Sequence, residues 1–235
     1  MISVSTITSE MINPLLGKTG HSGVPVDRRV PASEGEGVSL HRREQREDCD
    51  SLSEYVNYKS VIGEELEVQE KSVLPSMKRL DPINVELCAV DEARKRPNVL
   101  AVFKGSGGAR SLLFNEHTDV TPIPDAQLKR WTVDPWKMTR KGDVLYGHGA
   151  ADVKGGITAA IWAMRAIRES HIQLHGDVYF EIVVGEEYGE HVLGNTASTK
   201  RLFELGYKKI DFCINPEPTN CEMHTSTPGA FAFEM

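Results

Sequence analysis

The sequence predicts an α/β fold with a mostly parallel sheet, and three short apolar runs rich in β-branched residues carry that prediction. The runs cover residues 111–115, 178–184 and 210–214. A helical segment separates the first two, which is typical of buried parallel strands joined by a crossover helix. Each run leads into residues that can bind a metal. Because ligands bind beyond the carboxyl ends of the strands in open α/β sheets, the sequence predicts a binding site at that edge.

Length and composition exclude several classes of protein. The chain has 235 residues, of which 40% are hydrophobic, enough for a packed core over most of its length. Its formal net charge of -7 argues against a nucleic-acid or membrane-surface partner. No stretch approaches the roughly 18 uninterrupted apolar residues of a membrane-spanning helix. A secretory leader and CxxC spacing are both absent from the sequence, so we expect a cytoplasmic protein without a disulfide framework.

The N-terminal part of the chain differs in composition from the rest. Residues 17–50 are rich in glycine, serine, arginine and glutamate, and they lack a run of large apolar side chains. Such a segment cannot bury enough surface to offset the loss of chain entropy on folding. We therefore predict that residues 1–53 form a polar, disordered segment and that the folded domain covers residues 54–235.

Apolar periodicity predicts the elements of the folded part in order. Residues 63–80 have helical spacing, but Pro75 must kink or split that helix. Residues 83–87 alternate as a strand with one buried face, and residues 97–103 form a second strand. A helix that opens near Gly156 presents one apolar stripe, formed by Ile157, Ala160, Ile161, Met164 and Ile167.

A histidine and an aspartate come just after the first run, and a second aspartate comes before the helix that follows. His117 and Asp119 are two apart on an extended segment, so their side chains point to the same side. A carboxylate can hold an imidazole in one orientation for a metal, although a surface pair is the alternative reading. Asp152 stands just before the glycines of the helix start, where it could equally be a first-turn acid stabilised by the helix dipole.

Further acidic residues follow the second and third runs. Glu186 and Glu187 are adjacent, and two like charges so close require a cation or a raised pKa. One could bind a metal while the other activates water, and the alternative is an ordinary acidic loop. Glu217 lies between two prolines, which hold it in a stiff extended turn suited to a metal ligand or to a plain loop. Cys213, in the middle of the third run, is predicted to be a small core residue.

Taken together, four segments in this order resemble the metal motifs of one family. It is the acetylornithine deacetylase, succinyl-diaminopimelate desuccinylase and aminoacylase family of two-zinc amidohydrolases. The segments are LFNEHTDVTP at 113–122, LYGHGAADVKGG at 145–156, EE at 186–187 and PEPT at 216–219. The resemblance implies a three-layer, zinc-exopeptidase-like catalytic domain over residues 54–235 that is incomplete at its C-terminus.

The resemblance also implies roles for the site residues. His117 and Glu217 would bind one zinc ion, and Asp152 would bridge to a second ion that Glu187 also binds. The implied cofactor is a pair of Zn²⁺ ions, for which Co²⁺ could substitute. The implied substrate is a small N-acyl amino acid or a peptide-like amide. Full-length members of the family could form homodimers, but this is not expected of the present chain.

Two residues would take part in the chemistry rather than in metal binding. The resemblance implies that Asp119 orients His117 and that Glu186 is the general base that takes a proton from the attacking water. The sequence departs from the family at Glu116, where a small residue is usual, and at His148, where arginine is common.

A larger departure concerns the C-terminal part of the family pattern. Family members carry a lid or dimerisation domain after the fourth segment and then a further histidine ligand, whereas this chain ends at Met235. The sequence therefore predicts a truncated hydrolase of impaired activity. A non-catalytic remnant that binds a metal or a partner chain is the alternative. A redox or nucleotide-binding domain is disfavoured, because GxGxxG and CxxC do not occur in the sequence.

Overall fold

A computed structural model of the protein describes residues 49–89, 95–220 and 222–225, and in it five strands form one mixed sheet. In sequence, a separate two-stranded hairpin is inserted after the third of these strands and before the fourth. The strands of the large sheet are β1 (Asn84–Cys88), β2 (Asn98–Phe103), β3 (Leu112–His117), β6 (Val178–Val183) and β7 (Phe212–Ile214), and those of the hairpin are β4 (Thr139–Lys141) and β5 (Val144–Tyr146).

The order of the large sheet is β1-β2-β6-β3-β7. Strand β3 pairs in parallel with both β6 and β7, so the three apolar runs form adjacent parallel strands as predicted. Strand β2 is antiparallel to both of its neighbours, β1 and β6. Four of the five strands consequently point in one direction, and the predicted α/β fold with a mostly parallel sheet is confirmed.

Helices cover both faces of the sheet. They are α1 (residues 49–57), α2 (Leu66–Arg79, in three segments), α3 (Asp125–Leu128), α4 (Gly155–Glu169) and α5 (Asn195–Glu204). On one face Met77 of α2 and Ile161 of α4 pack against Phe180 of β6. On the other face Leu202 of α5 packs against Leu100 of β2. Two helical layers around a central sheet confirm the predicted three-layer arrangement.

The proline in α2 changes the type of helix without ending it. Leu66–Val68 is α-helical, Gln69–Val73 is π-helical, and Leu74–Arg79 is α-helical again with Pro75 in its first turn. Proline has no N–H to donate, and its ring clashes with the carbonyl group four residues earlier in an α-helix. A wider π-helical turn removes that conflict, so the predicted interruption takes this form.

The apolar stripe predicted for α4 is confirmed. Ile157, Ala160, Ile161, Met164 and Ile167 are all buried, and they belong to the same core cluster as the central strand β6. This packing fixes the helix against the sheet and therefore fixes the position of the segment that precedes it, Ala150–Lys154.

The predicted boundary of the polar segment is too late, because residues 49–53 are helical and belong to α1. Leu52 is buried beside Val56 and Ala150, so a contact with a distant part of the chain supplies burial that local composition does not reveal. The rest of the segment predicted to be disordered, residues 1–48, lies outside the described residues, as do residues 226–235.

The prediction that Cys213 is a core residue is also wrong, because its side chain is exposed. Strand β7 lies at the edge of the described sheet and pairs only with β3. An apolar run can therefore be a strand without being buried on both faces. None of the helices in the described part of the chain has the length and apolar character needed to cross a membrane.

A buried acid in β6 predicts a pH dependence of stability. Glu181 is fully buried, accepts hydrogen bonds from Asn115 (2.9 Å) and Thr199 (3.2 Å), and burial raises its pKa from 4.5 to about 7. Between those values the native state holds a proton that the unfolded chain has lost, so stability falls as the pH rises through this window. Relative to Glu181→Gln, the wild-type free energy of unfolding should drop by about 3 kcal/mol from pH 4 to pH 8.

Urea unfolding in the presence of a chelator measures this difference. The Glu181→Gln profile should be flatter than the wild-type profile, whereas Asp143→Asn, at a fully exposed position, should reproduce the wild-type profile. Parallel curves for wild-type and Glu181→Gln protein would show that Glu181 is ionised in the fold.

Candidate metal centre

The carboxyl ends of three parallel strands and the turn before α4 bring the predicted site residues to one edge of the sheet. His117 is the last residue of β3. Glu186 and Glu187 lie in a turn just beyond β6, and Glu217 follows β7. Asp152 lies in the π-helical turn Ala150–Lys154 that opens into α4. Because β3, β6 and β7 run in parallel, residues that are far apart in sequence meet at this edge.

His117 is buried, with only 1% of its surface exposed, and a main-chain group fixes the orientation of its ring. Its Nδ1 lies 3.0 Å from the backbone carbonyl oxygen of Asp119, whereas the Asp119 carboxylate is 3.6 Å away. The carbonyl therefore accepts the Nδ1 hydrogen, and the carboxylate of Asp119 is the more distant of the two groups that face this nitrogen. The other carboxylate oxygen of Asp119 accepts a hydrogen bond from the backbone N–H of Glu187 at 3.0 Å.

The remaining ring nitrogen, Nε2, faces three carboxylates from different parts of the chain. It lies 3.3 Å from Asp152 Oδ1, 3.7 Å from Glu217 Oε1 and 3.7 Å from Glu186 Oε2. Among the described residues, buried Nε2 has no hydrogen-bond partner of good geometry. Ligand atoms about 2.1 Å from a tetrahedral zinc ion lie about 3.4 Å from each other, which is close to these spacings.

One group of three residues could hold a single ion within the described chain. The ligand atoms of His117, Asp152 and Glu217 all lie within 4.8 Å of each other. Glu186 is as close to the imidazole as Glu217 is, and Glu187 is outside this group. One imidazole nitrogen with several carboxylate oxygens is a donor set that suits zinc or a similar divalent ion, so the residues fit the metal that the resemblance implies.

The electrostatics of the site favour a positive charge at its centre. Burial and then the neighbouring carboxylates raise the pKa of Glu217 to about 7, and burial also raises the pKa of Glu187, with Asp152 adding to it. Burial would lower the pKa of His117, but the carboxylates around it raise that pKa to about 9. Without a metal, a proton on His117 Nε2 therefore occupies the place where the carboxylates favour a cation.

The two departures from the family pattern do not disturb this arrangement. Glu116 is buried, and burial raises the pKa of its carboxyl group well above the ordinary value. His148 lies beside Trp131 and Trp136, and its Nε2 is 2.7 Å from the backbone oxygen of Thr121. His148 thereby ties the second motif to the end of the first.

Two glycines of the second motif permit close packing of the segments around the site. A Cβ atom on Gly156 would lie 2.8 Å from the backbone oxygen of Pro216, next to Glu217. Gly149 has a φ of +75°, and a Cβ there would lie 2.5 Å from Val120. Backbone segments that carry site residues can approach each other this closely only where a side chain is absent.

The contact at Gly156 leads to a testable prediction. In Gly156→Ala the new methyl group must displace Pro216, and Glu217 with it, so metal affinity should fall by about tenfold or more. Alanine has the higher helix propensity, so a loss cannot come from weakening α4. Competition with a chromophoric chelator measures the affinity. An unchanged value would show that Pro216 moves without carrying Glu217.

Lys154 is a residue of structural importance that sequence reasoning missed. Its side chain is buried, and its ammonium group donates to the backbone oxygens of Tyr55 (3.0 Å) and Tyr58 (3.1 Å). These bonds tie the end of α1 to the turn that carries Asp152, in which the peptide bond after Asp152 is cis. This role leaves no local signal in the sequence, because the acceptors are main-chain atoms almost a hundred residues away.

Fold and site together define an α/β protein with a candidate metal centre built from one histidine and several carboxylates. The sequence model of peptidase family M20/M25/M40 matches residues 113–232, just over half of the chain. The chain belongs to this family, and the resemblance predicted from the four ordered segments is confirmed.

Curated relatives and solved structures agree with this assignment. N-formyl-4-amino-5-aminomethyl-2-methylpyrimidine deformylase of Halalkalibacterium halodurans is 40% identical over 129 residues, which are 54% of this chain and 28% of the relative. Succinyl-diaminopimelate desuccinylase of a Wolbachia from Brugia malayi is 36% identical over 132 residues, 56% of this chain and 31% of the relative. The chain thus spans about a third of the length of these relatives.

Structural similarity extends over most of the chain. Human carnosine dipeptidase 1 matches with a TM-score of 0.61 and 23% identity, over 77% of this chain and 39% of that one. The M20 family metallo-carboxypeptidase Sso-CP2 from Sulfolobus solfataricus matches with a TM-score of 0.60 and 22% identity, over 72% of this chain and 37% of that one. At these identities the likeness supports the fold.

Proposed function

We propose that this chain carries the metal-binding part of a zinc-dependent hydrolase that cleaves the amide bond of N-acyl amino acids or small peptide-like substrates. The observation that carries the proposal is the buried His117 Nε2, which faces carboxylates from three separate elements and has no hydrogen-bond partner of good geometry among the described residues. Deformylase and desuccinylase relatives, whose names denote cleavage of N-acyl groups, support this substrate class.

The division of the site residues between two ions is the one that the family resemblance implies. His117 and Glu217 would hold one zinc ion, with Asp152 shared between that ion and a second one. Glu187 would complete the second position, and burial, followed by the charge of Asp152, raises the pKa of its carboxyl group there. When bound, divalent cations supply Lewis acidity, which polarises a carbonyl group and makes water a stronger nucleophile at neutral pH.

Glu186 is the residue proposed to move protons. It lies at the rim of the site with 37% of its side chain exposed, so its carboxylate can reach both a water molecule and a substrate. It would take a proton from the attacking water and later deliver it to the nitrogen of the leaving amine. Asp119 would keep its supporting position, because its backbone carbonyl fixes the His117 ring and its carboxylate holds the turn that carries Glu187.

A substrate panel with and without metal tests the proposal. Protein loaded with Zn²⁺ or Co²⁺ should hydrolyse at least one member of a panel of N-formyl, N-acetyl and N-succinyl amino acids and dipeptides. The activity should disappear with chelator and return when the metal is restored. Failure to bind either metal would contradict the proposal.

A protein that binds metal without turnover is the second candidate. It is favoured because the three-residue metal group found among the described residues contains a single imidazole, His117. Stoichiometric metal binding without hydrolysis of any member of the panel would select this candidate.

A further inference from the structure

The segment between β6 and α5, residues 184–194, carries both Glu186 and Glu187, and we refer to it as the carboxylate loop. Two hydrogen bonds close a tight turn inside it. The N–H of Gly189 donates to the carbonyl of Glu186 at 2.8 Å, and the N–H of Glu190 donates to that of Gly185 at 2.7 Å. The position of the two acids therefore depends on what holds this turn against the rest of the fold.

The base of the carboxylate loop is closed by one buried side chain at the start of β2. Asn98 accepts a hydrogen bond from the N–H of Val184 at 3.0 Å and donates to the carbonyl of Leu193 at 2.7 Å. Its side chain is fully buried. Both ends of the loop are consequently fastened to the same amide group, two residues after Arg96.

Arg96 fastens the closing residue of the turn, Glu190, to the start of α2. Its guanidinium group makes a two-point contact with the carboxylate of Glu65, at 2.6 and 2.9 Å, and its third nitrogen lies 2.6 Å from Glu190 Oε2. Arg96 is 8% exposed and Glu65 is fully buried. Because a two-point contact fixes the plane of a guanidinium group, Glu65 aims the third nitrogen at the loop.

The contact reaches the residue that directly precedes Glu186. A Cβ atom on Gly185 would lie 2.9 Å from Glu190 Cβ and 3.4 Å from an Arg96 nitrogen. Arg96 and Glu190 thus pack over the backbone of the turn, and neither residue belongs to the group that faces His117. Their role is to hold the acids in place and not to bind the metal.

We propose that Arg96 is a positioning residue for Glu186 and Glu187, acting through Glu190. The ion-pair network of Glu65, Arg96 and Glu190 holds the carboxylate loop in its shape before any metal binds. Glu186 and Glu187 are therefore preorganised for metal binding. The part of this inference that concerns metal affinity rests on the proposed function, whereas the part that concerns the order of the loop does not.

Glu190→Ala is the sharpest test, because it removes the outer link and leaves the buried Arg96–Glu65 pair intact. Glu86→Ala is the matched control. Glu86 is likewise a partly exposed acid paired with an arginine: it contacts Arg201 at 2.6 and 3.0 Å and is 26% exposed, against 35% for Glu190, but it lies away from the loop. In metal-free protein, hydrogen exchange at the amides of residues 189 and 190 should quicken at least about tenfold in Glu190→Ala and remain unchanged in Glu86→Ala.

Metal titration supplies the second readout. Zn²⁺ affinity should fall about 10- to 100-fold in Glu190→Ala and stay at the wild-type value in Glu86→Ala. Arg96→Lys should reproduce the loss, because an ammonium group cannot make the two-point contact and reach Glu190 as well. Equal exchange rates in Glu190→Ala and its control would overturn the inference, even if wild-type protein bound no zinc and the proposed function had failed.

Discussion

Replacing Asp152 with asparagine is expected to weaken metal binding by more than about 100-fold, the largest effect of any single change at this site. Asp152 Oδ1 is the carboxylate oxygen nearest to His117 Nε2, and this residue is the one proposed to be shared by two ions. Asparagine keeps the shape of the side chain and one oxygen atom but removes the negative charge. Because half of the Asp152 side chain is exposed, at 51%, the fold should tolerate the change.

The measurement is the metal content of purified protein after loading and desalting, together with a titration against a chromophoric chelator. Asp143→Asn serves as the matched control, because Asp143 is fully exposed in the turn between β4 and β5. The control should bind as much metal as wild-type protein. A wild-type content in Asp152→Asn would mean that the carboxylates at this edge do not form a metal centre, and the proposed function would then fail with it.

The parts of the fold that follow from local pattern could be predicted from the sequence. Val178–Val183 is buried at every position, as an apolar run without polar alternation indicates for a central parallel strand. The apolar stripe of α4 repeats with helical period and faces the sheet. The convergence of His117 with Asp152 and Glu217 could also be predicted, because parallel strands place their carboxyl ends at one edge of the sheet.

Features that depend on contacts between distant segments could not be predicted. The sequence shows that Asp119 follows His117 by two residues, but not whether its carbonyl or its carboxylate meets the ring. Leu52 is a single apolar residue in a polar stretch, and only its contact with Ala150 gives it a place in the core. The edge position of Cys213 depends on the order of strands in the sheet, which periodicity within one strand does not encode.

The buried pair of Glu65 and Arg96 left a weak signal that sequence reasoning did not use. Glu65 lies three residues before Val68 and eight before Val73, on the stripe of α2 that faces the core. An acid in register with buried apolar residues must be neutralised or paired, since an isolated buried charge is very costly. The position of its partner, 31 residues later, could come only from the folded structure.

Replacing Glu186 with glutamine is expected to lower kcat roughly 100- to 10,000-fold, while the metal content stays at the wild-type value. The amide group has nearly the same size and can still accept a hydrogen bond, but it cannot take a proton from water. Glu186 carries a carboxylate at the rim of the site, and its loss should not open the core, because the side chain is partly exposed. A similar fall in kcat/KM is expected, because the interaction is made during the reaction and not in substrate binding.

Glu187→Gln separates proton transfer from metal binding, because the two residues are adjacent in the same loop and differ only in proposed role. In Glu187→Gln the metal content should fall below the wild-type value, and excess Zn²⁺ or Co²⁺ should restore part of the lost activity. Excess metal should not rescue Glu186→Gln, since the deficiency there is the missing base. If added metal restored Glu186→Gln and not Glu187→Gln, the roles would be exchanged, and Glu186, 3.7 Å from the His117 imidazole, would be the ligand.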